Sequence, residues 1–264
     1  MCATGPNQQS LCAGAFTIQE PLRTVSIEAA PQMQLARSDD LERALSAVPL
    51  TQLEAIYDAG ADALAALQRM ADLGHTPVTA ALEGVSCVEE WAHYPDGDAR
   101  SAAGRYYYHA HPAEERGAEE HGHFHIFLEP PLAEPDAQPT HVVGIAMDAA
   151  GRLLRLFTTN GWVTGETWRE AEWIITRLPD FHIASDPARR DLDEWISAII
   201  RLFRPQIEAL LSTRDAALAS LRAENPEALE DRSVRILSET PVDLLSHLHA
   251  AERAMEEAER ARSH

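Results

Sequence analysis

The sequence predicts an α+β protein, in which a mainly antiparallel sheet or partial barrel is flanked by N-terminal helices and a larger C-terminal helical layer. Three observations lead to this fold class. Apolar residues recur at helical spacing from Ser38 to Gly74, short apolar runs separated by Pro, Gly and Asp begin near Val85, and helical spacing returns after Thr164. The chain has 264 residues, of which 45% are hydrophobic and 24% are charged. Such a chain can bury a sizeable core.

The first 36 residues are expected to form a flexible arm. Residues 1–36 mix Gln, Pro, Thr, Ser and Ala without sustained periodicity. Residues 37–264 show no internal repeat and no clear linker. They are predicted to form a single α+β domain, with a histidine-rich sheet at about 85–160 and a helical C-terminal half.

Two helices are predicted before the sheet. Ser38 is a residue type that caps helices, and the two aspartates after it suit a helix N-terminus. Pro49 ends this helix. Thr51 and Glu54 have capping-box spacing and predict the start of a second helix, which stops by Gly74.

Five short runs predict the strands of the sheet. In chain order they read VSCVEEWAHY, RYYYHAH, HGHFHIFLE, HVVGIAMD and RLLRLFTTN. The DAAG segment at 148–151 is a hairpin-type connection, so the last two strands are predicted to be antiparallel. The PDGD segment at 95–98 is a turn signal.

The C-terminal half is predicted to be helical apart from the extended piece RSVRIL. Thr164 is expected to cap a first helix, which Pro179 closes. A second helix is predicted to start at Asp186 and Pro187 and to break at Pro205. A third helix is predicted to continue to Asn225 and Pro226, and a last helix to start at Thr240 and Pro241.

The charge of the chain excludes several classes of function. Its net charge is −20, which opposes binding to nucleic acid and to an anionic membrane surface. All 22 basic residues are Arg, because the sequence contains no Lys. Schiff-base chemistry, a phosphate-loop lysine and a lysine general base are therefore excluded.

A small-molecule substrate is expected, whereas the sequence does not predict an oligomeric state.

A cytoplasmic location is expected from the cysteines and the apolar segments. Cys2, Cys12 and Cys87 are odd in number and lack metal-type spacing, so no disulfide framework is predicted. The N-terminus has no basic start followed by an apolar run, which argues against a signal peptide. No stretch approaches the roughly 18 apolar residues of a membrane span, so no membrane partner is expected.

Histidines are concentrated in the predicted sheet. Five of the twelve lie between His109 and His125, and most of them are two residues apart. Alternation along a strand places such residues on one face, about 7 Å from each other, where two rings can reach one ion. The sequence therefore predicts a transition-metal site whose candidate ligands are His109, His111, His121, His123, His125 and His141.

The leading hypothesis is a metalloenzyme that uses iron, copper or zinc. Imidazole ligands disfavour magnesium and calcium. Non-heme iron or copper oxidation of a small molecule is slightly favoured, while zinc-dependent hydrolysis and a non-enzymatic metal-binding role remain alternatives. Tyr107 is predicted on the histidine side as a hydrogen-bond donor or substrate contact. Glu115 or Glu120 is expected to complete the site or to orient an imidazole.

Two local motifs resemble known metal or catalytic motifs. His109-x-His111-x-x-x-Glu115 resembles the first metal motif of cupins, which implies a divalent ion on adjoining strands and a later ligand at His141. The run from His121 to Phe127 looks like the histidine-triad signature of nucleotide hydrolases and transferases. That resemblance implies attack by His123 on an α-phosphate without a metal.

A third resemblance covers most of the chain from the strands to the C-terminal helices. The strings YYYHAHP and EHGHFHIFL are similar to a bacterial family described as a domain of unknown function. This resemblance implies no particular activity.

Overall fold

Six strands form one antiparallel sheet in which each strand pairs with its neighbours in the sequence. The computed structural model describes residues 41, 44–85, 89, 92–101, 103–110, 119–184 and 186–262. The strands are β1 (Tyr94–Arg100), β2 (Gly104–His109), β3 (Glu120–Leu128), β4 (Thr140–Asp148), β5 (Leu153–Thr159) and β6 (Ile236–Pro241). The sheet is open, with β1 and β6 at its two edges, and the predicted α+β class is confirmed.

Helices lie before, between and after the strands. The α-helices that lie wholly within the described residues are α1 (Leu50–Asp72), α2 (Pro77–Ala81), α3 (Gly161–Thr164), α4 (Ala171–Ile175), α5 (Arg190–Leu202), α6 (Arg204–Glu224) and α7 (Leu244–Arg262). Short 3₁₀ helices span Leu178–Asp180 and Ala228–Glu230. Within the described part of the chain, none of the helices combines the length and the apolar character that crossing a membrane requires.

The hydrophobic core lies between one face of the sheet and helices α5 and α6. Trp195 of α5 is fully buried, and its ring lies 5.9 Å from the ring of Phe124 on β3. The hydroxyl of Tyr106 donates a 2.7 Å hydrogen bond to Asp193, which fixes β2 to α5. Helix α1 packs along α5 through small and apolar side chains such as Ala59 and Ala63.

The opposite face of the sheet carries imidazole and aromatic side chains. Here called the histidine face, it comprises Tyr107, His109, Glu120, His123, His125, Phe127, His141, Arg155, Phe157 and Thr159. Strand alternation explains this separation, because Tyr106 and Tyr108 point to the core while Tyr107 and His109 point away from it.

Two β-bulges interrupt the alternation at the ends of the β3–β4 pair. At the first, Glu120 pairs with Asp148 while Gly122 pairs with Met147, so His121 is an extra residue in β3. At the second, Val142 is extra in β4, between residues paired with Ile126 and Phe127. An extra residue shifts every following side chain relative to its neighbours across the sheet. Both bulges therefore decide which residues reach the histidine face.

Several predicted boundaries are confirmed. The DAAG connection is a hairpin turn in which Gly151 adopts a φ of 80° and donates its N–H to the carbonyl of Asp148. The break near Pro205 lies at Phe203, which separates α5 from α6. Helix α6 ends before Asn225, as predicted.

Other predicted boundaries are wrong for local reasons. Helix α1 starts directly after Pro49 and has no side-chain cap, so the capping box of Thr51 and Glu54 does not form. Thr164 ends helix α3, because Gly165 follows it in the left-handed region at a φ of 61°. Helix α3 therefore ends where the long helix was predicted to begin, and the predicted range contains the short helix α4 and the start of the 3₁₀ helix at Leu178.

Three further segments also differ from their predicted elements. The PDGD segment lies inside β1, where the pairing with β2 is irregular. Helix α5 starts at Arg190, after a turn that contains Pro187, and helix α7 starts at Leu244, because Thr240 and Pro241 belong to β6. Residues 89, 92 and 93 of the predicted first strand are not extended into the sheet. The predicted arm at 1–36 and the helix start at Ser38 lie outside the described residues.

Candidate metal centre

Three buried histidines from two neighbouring strands converge on the histidine face. His109 of β2 lies directly opposite His123 of β3, and His125 follows two residues later on the same side. The ring centroids are 4.5 Å apart for His109 and His123, 5.0 Å for His109 and His125, and 4.8 Å for His123 and His125. Their exposed fractions are 7%, 5% and 1%, respectively. These three residues are called the triad below.

The triad has the dimensions of a metal site. One ring nitrogen from each histidine lies within 4.8 Å of the other two. An ion bonded to nitrogens at about 2.1 Å requires those nitrogens to be roughly 3.0 to 3.4 Å apart. Binding of an ion would therefore require the ring nitrogens to move closer together than they are here. The described residues therefore contain a group that can hold a metal ion.

Glu120 forms an outer partner of His123. Nδ1 of His123 lies 2.8 Å from Oε1 of Glu120, and the other carboxylate oxygen accepts a 2.8 Å hydrogen bond from Arg155. Burial opposes ionisation of Glu120, but the hydrogen bond from His123 and the charge of Arg155 outweigh it and lower the pKa of the carboxyl. Burial lowers the pKa of His123, so a neutral ring donates Nδ1–H to the carboxylate. Nε2 is then the nitrogen through which His123 would bind an ion.

His141 stands in the same relation to His125. Nε2 of His141 lies 2.9 Å from Nδ1 of His125, and Nδ1 of His141 lies 3.3 Å from the hydroxyl of Thr159. Burial lowers the pKa of His141 to about 3, so its ring is neutral near neutral pH. A neutral imidazole has one donor and one acceptor nitrogen, which suits a chain of hydrogen bonds.

Aromatic rings surround the triad. Tyr107 lies 5.3 Å from His125 and 5.6 Å from His109 between ring centroids, and Phe157 lies 5.1 Å from His123 at nearly a right angle. The exposed ring of His93 stacks on Tyr107 at 3.6 Å. The immediate surroundings of the triad are therefore largely apolar, and the charged groups lie at its edge.

A known protein family covers the part of the chain that contains the triad. A family model described as a domain of unknown function (DUF6969) matches residues 57–242. The chain belongs to the DUF6969 family. No curated protein and no solved structure matches it. The DUF6969 region contains all six strands, so it includes the triad and its hydrogen-bonding partners, while α7 lies beyond it. The resemblance noted in the sequence is confirmed.

The structure brings three of the six predicted ligands of this DUF6969 chain into the triad. His141 lies beside them as a partner of His125, and Tyr107 packs against two triad rings, as its position in the strand indicated. His121 lies apart, because the bulge turns it toward the core-facing Tyr108, whose hydroxyl is 2.7 Å from Nδ1 of His121. His111 and Glu115 lie outside the described residues.

Residues that sequence reasoning did not select also support the site. Thr159 and Phe157 are on β5, and nothing in their local pattern relates them to histidines more than 15 residues away. Glu166 accepts a 2.7 Å hydrogen bond from the backbone N–H of His141. Burial raises the pKa of Glu166 to about 7, although this hydrogen bond and the charge of Arg214 oppose the shift. Only the three-dimensional arrangement could reveal these contacts.

Proposed function

We propose that this DUF6969 chain is a metalloenzyme that binds iron or copper through His109, His123 and His125 and oxidises a small molecule. The observation that carries the proposal is the convergence of three buried ring nitrogens within 4.8 Å of one another. Three imidazoles from rigid strands supply one side of a coordination sphere. The remaining positions are then left for substrate or for an exogenous ligand.

The neutral ligand set supports a catalytic role. Three neutral imidazoles leave the full charge of the ion uncompensated by the ligands themselves, so the ion strongly polarises any group bound to it. The nearest described carboxylate, Glu120, bonds to His123 at Nδ1 and to Arg155. It therefore supports a ligand while its own charge is balanced by an arginine. This arrangement favours anionic or polarisable substrates at the open positions.

The aromatic surroundings favour oxidation over hydrolysis. Tyr107 and Phe157 contact the triad rings, so the ion would lie in a poorly hydrated environment that admits dioxygen, an apolar molecule, more readily than it stabilises hydroxide. Imidazole ligation suits both iron and copper. In this proposal Tyr107, whose ring lies 5.3 Å from that of His125, would contact a substrate or donate a hydrogen bond near the ion.

Zinc-dependent hydrolysis is the second candidate, and the contact between Glu120 and His123 favours it. A carboxylate that orients a histidine ligand is common at zinc sites, and a zinc ion held by three histidines lowers the pKa of bound water to about 7. The identity of the bound ion separates the two candidates.

Elemental analysis of protein purified without an affinity tag tests the proposal. We expect about one equivalent of iron or copper per chain, whereas one equivalent of zinc would select the hydrolase. His109→Ala and His123→Ala should each remove most of the metal. His182→Ala and His249→Ala are matched controls, since both side chains are exposed and should leave the metal content unchanged. Full metal occupancy in both triad variants would contradict the ligand assignment.

Two remaining alternatives give different results in the same variants. A phosphotransferase of the kind that the His121 to Phe127 motif resembles would cleave nucleotides without a metal. It would lose activity in His123→Ala but keep it in His109→Ala. A non-enzymatic metal carrier would bind the ion in a closed site. Its metal spectrum would then be unchanged by azide or cyanide, whereas an open site should respond to both.

A further inference from the structure

The second bulge places His141 on the histidine face. In β4, Val143 and Ile145 pair with Ile126 and Phe124 and point to the core, so regular alternation would send residue 141 to the core as well. The extra residue Val142 reverses this, and His141 pairs with Phe127 instead. The ring of His141 then lies 5.0 Å from that of His125.

The hydrogen bonds of His141 allow two proton arrangements. In the first, Nδ1–H of His125 donates to Nε2 of His141, whose Nδ1–H donates to Thr159. In the second, every donor is reversed, with the Thr159 hydroxyl donating to His141 and His141 donating to His125. Both arrangements fit the observed distances of 2.9 and 3.3 Å, because a hydroxyl can donate or accept.

Only the first arrangement is compatible with metal binding by His125. A neutral imidazole carries a single N–H, so donation from Nδ1 leaves the lone pair on Nε2 for an ion. In the second arrangement Nε2 carries the proton and cannot ligate. A metal ion at the triad thus selects one direction of donation along the whole chain from His125 to Thr159.

We propose that His141 is a positioning residue that fixes the tautomer and the ring orientation of His125, and that it is not itself a metal ligand. The inference rests on the proposed metal site. Thr159 terminates the chain of hydrogen bonds. Removal of His141 should weaken metal binding through His125 without changing how many ligands the ion has.

The backbone of His141 is fixed by a separate hydrogen bond to Glu166. Its backbone N–H donates to Glu166 at 2.7 Å, and the hydroxyl of Thr164 donates to the other oxygen of Glu166 at 3.2 Å. His141 lies beyond the part of β4 that pairs with β5, and its N–H is bonded to a side chain. The segment after α3 therefore fixes the backbone while Thr159 and His125 fix the ring.

Titration with Co²⁺ tests this inference, because its absorption spectrum reports the coordination number directly. In His141→Phe we expect unchanged saturation stoichiometry and an unchanged coordination number, with a 10- to 100-fold weaker affinity in competition with a chelator. His141→Gln should recover much of the affinity, since its side-chain oxygen can accept from Nδ1–H of His125. Thr159→Val should give a smaller loss in the same direction.

The comparison variants make each result decisive. His125→Ala removes a ligand and should change both the spectrum and the stoichiometry, whereas His121→Phe alters a histidine outside the triad and should change neither. Behaviour of His141→Phe like that of His125→Ala would overturn the inference, since His141 would then be a ligand. Unchanged affinity in both His141→Phe and Thr159→Val would also overturn it. Absence of Co²⁺ binding by the unaltered chain would overturn the proposed function together with this inference.

Discussion

Oε1 of Glu120 lies 2.8 Å from Nδ1 of His123, although residues three apart on a regular strand point to opposite faces of the sheet. The extra residue His121 reverses the direction of Glu120 and brings both side chains to the same face. Gly122 permits this local path, because a Cβ atom there would lie 2.5 Å from the hydroxyl of Tyr108. The carboxylate contact of the triad thus depends on backbone geometry as well as on residue type.

Glu120→Gln should reduce metal affinity about 10- to 100-fold, because a neutral amide is a weaker acceptor for Nδ1–H of His123. Glu120→Ala should reduce it further, because His123 and Arg155 both lose their buried partner. Chelator competition measures the change. Glu119→Gln is the matched control, since Glu119 is the exposed neighbouring residue. Equal affinity in the Glu120 and Glu119 variants would show that the carboxylate does not orient His123.

Gly144→Ala should disturb the triad through Phe157. Gly144 pairs with His125 on one side and with Phe157 on the other, and an added Cβ would lie 2.2 Å from the Phe157 ring. Overpacking of this kind typically costs about 1 to 3 kcal/mol of stability. We expect a lower melting temperature together with weaker metal binding, because the ring that packs on His123 must move.

A smaller side chain at position 157 should relieve the same clash. The double variant Gly144→Ala with Phe157→Leu is therefore expected to be more stable than Gly144→Ala alone. Gly165→Ala provides a remote control. Its φ of 61° makes the substitution unfavourable, yet open space surrounds the added Cβ, so stability should fall without a change in metal affinity. Additive effects of the two changes in the double variant would argue against the predicted clash.

His247 should make the stability of the helical layer depend on pH. Its ring lies 3.0 Å from the Gln206 amide and 2.9 Å from the carbonyl of Leu202, and burial lowers its pKa to about 4. The unfolded chain has a histidine pKa of about 6.5, so between these values it binds a proton that the folded chain does not. The free energy of unfolding should therefore fall as the pH decreases from about 6.5 to about 4, by roughly 3 kcal/mol in total.

Denaturant titrations across that pH range measure the contribution of His247. His247→Gln removes the titrating ring, so its free energy of unfolding should change less with pH than that of the unaltered chain. Above about pH 6.5 the difference between the two proteins should be constant. The exposed His249 supplies the control, and His249→Gln should keep the original pH dependence. Parallel curves for the unaltered chain and His247→Gln would exclude this role.

Tyr106→Phe should destabilise the contact between the sheet and α5 by about 1 to 3 kcal/mol. The hydroxyl of Tyr106 donates to the buried carboxyl of Asp193, which also accepts the backbone N–H of Asp186. Loss of one donor leaves a buried acceptor incompletely satisfied. Chemical denaturation measures the cost, and Tyr57→Phe at a side chain 38% exposed should be nearly neutral. Equal stability of the two variants would contradict the importance of this hydrogen bond.

Local sequence pattern was sufficient to predict strands β2 to β5, whereas the predicted first strand ends where β1 begins and the PDGD turn signal lies inside β1. Alternation correctly separated Tyr107 and His109 from the core, and the DAAG turn gave the correct pairing of β4 with β5. The local pattern could not reveal a bulge, because a strand with one unpaired residue has the same kinds of residues as a regular strand. The turn of His121 toward Tyr108 and the pairing of Glu120 with His123 in particular therefore needed the three-dimensional register. The helix start predicted at Thr164 is wrong because Gly165 adopts the left-handed conformation there, so Thr164 ends a short helix and does not cap a longer one.

The two bulges also make the site sensitive to the deletion of single residues within β3 and β4. Many substitutions in β3 and β4 would preserve the order of side chains across the sheet, but deletion of Val142 would restore regular alternation and return His141 to the core side. Deletion of His121 would similarly carry Glu120 away from His123. A relative with a gap of one position inside β3 or β4 would therefore lack the contact between Glu120 and His123 or the contact between His141 and His125. This would hold even if every triad histidine were retained.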